Sequence, residues 1–173
     1  MAGRANHSRW TMRRLKSMGI AMAIGAAALV PLAARAVEET FDACDVFTSD
    51  DAEKVLGTTA AAEPVNPKVK KPKVILTCTY TGFKDSKPVA ATVQFRFGRS
   101  DEEAQRAFED ARMQYQTKPL LISGAESFWS SKTGQLNLRK GRAWTTISVG
   151  SPKVNERDMA DAKKLAEILV KKM

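Results

Sequence analysis

The chain has 173 residues, with 28 Lys and Arg against 19 Asp and Glu, two cysteines and one histidine. That histidine, His7, and six of the basic residues fall within residues 1–36, so the other 137 residues carry 22 basic and 19 acidic side chains, a net charge of +3 rather than +9. Without histidine those 137 residues exclude Ser-His-Asp and Cys-His catalysis and imidazole metal sites, and a charge so near balance removes most of the case for nucleic acid.

Residues 1–36 read as a cleaved secretory leader. Arg4, Arg9, Arg13, Arg14 and Lys16 make a basic opening without an acid, Gly19 to Leu32 is apolar, and Ala34-Arg35-Ala36 supplies the small-x-small pattern for cleavage near Ala36. An uncleaved anchor is the rival reading, but a membrane span needs about 20 apolar residues and this run is shorter and broken by Pro31. The pair Arg13-Arg14 fits a twin-arginine signal loosely, and Met12 is an alternative start, since Met12 to Ala36 is a complete leader by itself. No lipid-attachment cysteine follows the cut: the first cysteine is Cys44, preceded by Phe41-Asp42-Ala43. The expected location is therefore periplasmic or secreted, with residues 37–173 forming one domain and no integral membrane span left after cleavage.

Cys44 and Cys78 are the only cysteines. In an oxidising compartment an isolated pair is most simply a disulfide. They are too far apart for a C-x-x-C redox site, and two thiols without histidine make a poor metal site. The enclosed loop of 33 residues, 45 to 77, corresponds to about 3–4 kcal/mol of stabilisation on the chain-entropy account.

Thr48 to Gly57 reads as a helix capped by Thr48 or Ser49 and ended by Gly57, and helix-start electrostatics accounts for the acids Asp45, Asp50, Asp51 and Glu53 better than a calcium loop does. Thr58 to Lys73 holds three prolines and the run Lys68, Lys70, Lys71, Lys73, read either as a solvated loop or as a site for an anionic ligand or surface. Val74 to Tyr80 and Val89 to Phe97 alternate as strands with one wet face, which implies an antiparallel sheet, and Thr81 to Pro88 reads as a turn-rich connection. A capping box at Ser100-Asp101-Glu102-Glu103 opens a helix to about Gln116 with a stripe of Ala104, Ala107, Phe108, Ala111 and Tyr115. Strands follow at Glu126 to Ser130, Gln135 to Arg139 and Ala143 to Val149, joined by hairpins at Lys132-Thr133-Gly134 and Lys140-Gly141-Arg142. Asn155 is the expected cap of a last helix, Glu156 to Lys172, with Met159, Ala162, Leu165, Ala166 and Leu169 inward. The predicted fold is α+β: an antiparallel sheet of about five strands with three helices packed on it, in the order α-β-β-α-β-β-β-α, and the recurrence of helix–strand–strand hints at two similar halves.

The stretch from Cys44 to Gly57, the Cys78-Thr79-Tyr80 strand, the turn Ile122-Ser123-Gly124-Ala125 before Phe128-Trp129, and the Gly134-Gln135-Leu136 to Lys140-Gly141 hairpin together resemble small exported bacterial domains of unknown function, many of them lipoproteins. The resemblance implies an α+β domain with an antiparallel sheet and a Cys44–Cys78 bridge, and it brings no catalytic residues.

The expected function is a non-catalytic exported binding or interaction domain for an unknown protein or envelope component, with no cofactor, no metal and no nucleic acid. One form of it is an immunity or inhibitor protein that neutralises an envelope toxin or hydrolase. Another is a module for anionic surfaces or lipids acting through Lys68 to Lys73. An enzyme would have to rest on carboxylates such as Asp45 or Glu126, or on a serine near Lys118 and Lys132, and no spacing joins these. Trp129, Trp144, Phe128 and Tyr115 read as core, with an apolar pocket as the alternative. The partner and the oligomeric state are not encoded legibly.

Overall fold

The computed structural model describes residues 40–63, 74–115 and 117–173. These all belong to one unit, Ala36–Met173. The expected leader and the lysine run at 68, 70, 71 and 73 lie outside the described residues.

Along the chain come α1 (Ala43–Val46), α2 (Ser49–Leu56), β1 (Ala61–Ala62), β2 (Leu76–Lys84), β3 (Lys87–Phe97), α3 (Asp101–Gln114), β4 (Thr117–Pro119), β5 (Glu126–Ser130), β6 (Gln135–Lys140), β7 (Ala143–Gly150) and α4 (Met159–Lys172). The strands form one antiparallel sheet in the order β1-β2-β3-β7-β6-β5-β4. The class is α+β, as the alternation of the sequence predicts, but the described residues form seven strands and four helices rather than five and three. The additions are short. β1 and β4 extend the two edges by two and three residues, and α1 is a single turn begun by Asp42, whose carboxylate accepts from the Cys44 N–H at 3.0 Å.

Strand alternation divides the sheet into two faces. The first presents Leu76, Cys78, Val93, Phe95, Leu136, Leu138, Ile147 and Val149, each essentially inaccessible to water. On it lie α1, α2 and α4. Helix α4 contributes Ala162, Leu165, Ala166, Leu169 and Val170, spaced to fill one side of a helix; Met159, expected in that stripe, is exposed. Each large apolar side chain removed from water here contributes about 1.5–3 kcal/mol. The two halves are not alike in layering: α2 packs into this core, whereas α3 packs with Phe128 and Trp144 on the opposite face.

Two boundaries depart from the sequence reading. Thr81 to Pro88 is not a loop; β2 and β3 continue through it to a two-residue turn in which Asp85 (φ 51°) and Ser86 (φ 62°) are both left-handed, the backbone that matches strand twist. Pro88 is tolerated because β3 pairs with β7 only from Ala90 onward, so its missing N–H falls outside that ladder. The last helix starts at Met159, not Glu156. Val154–Glu156 is a 3-10 turn, the Asp158 N–H is taken by the Val149 carbonyl at 2.9 Å, and Asp158 rather than Asn155 caps α4 by accepting from the Asp161 N–H at 2.9 Å. A tertiary tie to β7 thus overrides the earlier capping residue.

The β5–β6 hairpin docks on this 3-10 turn: Arg157 Nη1 donates to the Thr133 carbonyl at 2.8 Å. Gly134 has φ +58°, and a Cβ there would stand 2.5 Å from the Val154 carbonyl oxygen. Gly134→Ala is expected to lower stability by about 1–3 kcal/mol in urea unfolding. The loss should exceed that of Gly141→Ala, where φ is +54° but the nearest atom is 3.9 Å away. Equal losses would remove the steric part of this account.

Candidate functional site

The second face of the sheet is only partly covered. Ser100 caps α3 by accepting from the Glu103 N–H at 3.2 Å, and Glu103 reaches back to the Arg99 N–H at 2.7 Å. The helix then buries only Ala104, Phe108 and Ala111; Ala107, expected in its stripe, is exposed. So narrow a stripe packs on Phe128 and Trp144, with ring centroids 4.9 and 6.5 Å from Phe108, and stops there. Beyond the helix the face is polar and half-buried, with Thr77, Thr79, Thr92, Gln94 and Ser148; the Thr79 and Thr92 hydroxyls are bonded at 3.1 Å.

Register places Arg96, Trp144, Arg139 and Glu126 opposite one another across β3, β7, β6 and β5. Two guanidinium groups therefore flank one indole. Arg139 is fully engaged: Nε and Nη2 donate to the two Glu126 oxygens at 2.9 Å each, and Nη1 donates to the Gly141 carbonyl at 3.2 Å. This hydrogen-bonded pairing holds the Glu126 carboxyl below its ordinary value and raises Arg139 above its own. Arg96 lies 4.7 Å over the Trp144 ring, within the range of a cation–π contact. It has no carboxylate and no hydrogen-bond acceptor among the described residues. Burial lowers its pKa against a smaller opposing effect of Tyr115. The residue is nonetheless only half-buried.

Arg96 lines a cleft of about 250 Å³ between the sheet and the C-terminal end of α3. Gln94, Trp144 and Thr146 form its floor beside Arg96, and Gln114 and Tyr115 come from the helix side. Asn137 accepts from the Trp144 Nε1–H at 3.0 Å and so fixes the indole plane. The Lys132 ammonium stands 5.4 Å from the Tyr115 ring. Among the described residues no carboxylate lines the cleft. A larger groove, about 620 Å³, runs beside the β2–β3 hairpin. Its charges are of both signs and partly spent on each other: Lys153 pairs with Glu156 at 3.2 Å, and Asp158 caps α4.

Cys44 and Cys78 form a disulfide, which joins α1 to the buried face of β2. Of the aromatic residues singled out in the sequence, Phe128 and Trp129 are buried, whereas Trp144 and Tyr115 are half-buried and line the cleft. Among the acids near the first helix, Asp51 is buried and makes structural hydrogen bonds. Among the described residues no group of three His, Cys, Asp or Glu side chains is placed to hold a metal, and no helix is long and apolar enough to cross a membrane. Arg96 was legible only as one polar residue on the wet face of β3. The signal that could have marked it is its cross-strand position beside Trp144, which needs the β3–β7 register.

Comparison with protein-family models, with curated proteins and with solved structures finds no match for the chain.

Proposed function

We propose that the protein is an exported, non-catalytic binding domain that engages its partner at the Arg96 cleft. One observation carries this reading: the guanidinium of a half-buried arginine, held over Trp144 in the wall of a cleft, has no internal carboxylate to satisfy it among the described residues. Around it stand amides and hydroxyls, which hold and orient a ligand but supply neither a nucleophile with its base nor an acid–base pair. The leader-like residues 1–36 and the Cys44–Cys78 bridge support export. An inhibitor or immunity protein would be one form of such a domain.

The test is affinity purification from the envelope and medium of the host, with the protein and its Arg96→Gln variant as parallel baits. A component retained by the first and lost from the second is the expected result. Identical captures by both baits would remove the cleft from the proposal. Turnover of peptidoglycan, esters or phosphoesters that disappears in Glu126→Gln would replace the binding domain by an enzyme.

A further inference from the structure

We infer that the Arg96 cleft recognises a peptide carboxylate, either an acidic side chain or a free C-terminus. This rests on the reading of the cleft as a binding site and specifies what it binds.

The same row of the sheet contains an internal precedent. Arg139 and Arg96 flank the same indole from opposite sides, on β6 and β3. Where a carboxylate is within reach, as Glu126 is for Arg139, the guanidinium takes both oxygens at 2.9 Å. Arg96 sits in the matching position on the other flank and has no such partner within the described residues. The planar fork of a guanidinium suits two carboxylate oxygens better than a single point acceptor. The cation–π contact with Trp144 at 4.7 Å restrains that fork before any ligand arrives. The indole is itself oriented through Asn137, so little side-chain freedom is lost on binding.

Charge and size narrow the ligand further. Among the described residues Arg96 is the one charged side chain that lines the cleft, and the Lys132 ammonium stands over Tyr115 outside that lining; one guanidinium matches a monoanion, whereas a phosphate dianion would bring a second charge into a half-buried place. Gln94, Gln114, Gln135 and Thr146 offer both donors and acceptors, as a peptide backbone requires. At about 250 Å³ the cleft admits a group of roughly one residue, below the ~300–1,000 Å³ of sites that enclose a whole small molecule. A peptide can place one carboxylate in it while its flanking residues lie on the open polar face at Thr77, Thr79 and Thr92.

The experiment is a ¹H–¹⁵N titration that follows the Trp144 indole N–H and the Arg96 Nε–H. The probes are N-acetyl-Ala-Glu-amide, N-acetyl-Ala-Ala with a free C-terminus, N-acetyl-Ala-Gln-amide and inorganic phosphate. Saturable shifts are expected with at least one of the two acids and not with the glutamine peptide or phosphate. Which acid binds identifies the source of the carboxylate. Arg96→Gln should weaken that binding by about tenfold or more, and Arg96→Lys, which keeps the charge but loses the fork, by an intermediate factor. If Arg96→Gln loses the dispersed spectrum of a folded chain, Arg96→Lys decides alone. No saturable shift with either acid, equal binding of the glutamine peptide, tighter binding of phosphate, or unchanged affinity in a folded Arg96 variant would overturn the inference. A partner still lost from the Arg96→Gln bait would then leave the binding domain standing without its carboxylate.

Discussion

Replacing Cys44 and Cys78 together by alanine is expected to lower the unfolding free energy by about 3–4 kcal/mol, on the loop-entropy account of a bridge enclosing 33 residues. The effect is large because the loop is long, taking in all of α2 and β1 together with the segment leading into β2. Cys78 is wholly buried among the core residues of β2, and Cys44 is on the one-turn helix α1, which has only a single cap from Asp42 and no length with which to hold itself. Without the bridge α1 remains attached through buried Ala43 and the rings on either side of it, Phe41 edge-on to Phe95 and Phe97 and Phe47 edge-on to Tyr80, each at 5.0 Å. Thermal unfolding with and without reductant checks this. The midpoint of the parent should fall by roughly 10–15 °C in reductant, and that of the double variant should not respond. A parent indifferent to reductant would mean that the bridge constrains nothing that matters.

The second large effect concerns Asp51, an almost fully buried carboxylate at the start of α2. It accepts from the Thr48 N–H at 3.1 Å and the Thr48 hydroxyl at 2.8 Å. It also accepts from the Lys172 ammonium at the far end of α4, 121 residues away in sequence. Burial opposes the charged form, but the hydrogen bonds from Lys172 and Thr48 outweigh it, and the carboxyl is held below its ordinary value. Asp51→Asn should therefore lower stability by about 2–3 kcal/mol near neutral pH, through loss of a cap and of a charge-assisted bond. Lys172 is one-third exposed, so solvent screening keeps the ion pair's own share at the low end.

The pH dependence follows from the direction of that shift. A carboxyl depressed in the folded state contributes its stabilisation above the unfolded value, about 3.9, and loses it as pH falls through the lower folded value. Urea midpoints of parent and Asp51→Asn should accordingly be well separated at pH 7 and converge in acid below about pH 4. A separation that stays constant through that range would show that the carboxylate's charge plays no part.

The sheet was legible where local chemistry speaks for it. The Ala91, Val93, Phe95 alternation marked β3, and Ser100 with Glu103 marked the start of α3. What escaped was decided elsewhere in the chain. β1 is two alanines that become a strand only because Thr81 and Tyr80 offer an open edge, and β4 pairs Thr117 to Pro119 with β5 despite a proline. Asn155 is a sound cap by residue type, but the Val149 carbonyl takes the Asp158 N–H and the helix begins from Asp158 instead. The site was less legible than the fold for the same reason. Arg96 and Arg139 are indistinguishable as residues on wet faces. Only the order β3-β7-β6-β5 reveals that one of them meets Glu126 and the other does not.

The central seam of the sheet has a consequence for how the chain reaches its native state. β3 and β7 pair residues 90–97 with residues 143–150, and Asp51 waits for Lys172, next to the last residue. Neither meander can close its apolar face without the other, since the ladder between them runs through the middle of the core. Contacts of such long range make folding slow relative to helical domains of similar size. Under the proposed export, that delay is useful: a chain emerging from the ribosome has no stable N-terminal half to jam a translocation pore. On that proposal it would commit to its structure only once α4 is complete, beyond the membrane, where Cys44 and Cys78 would be oxidised.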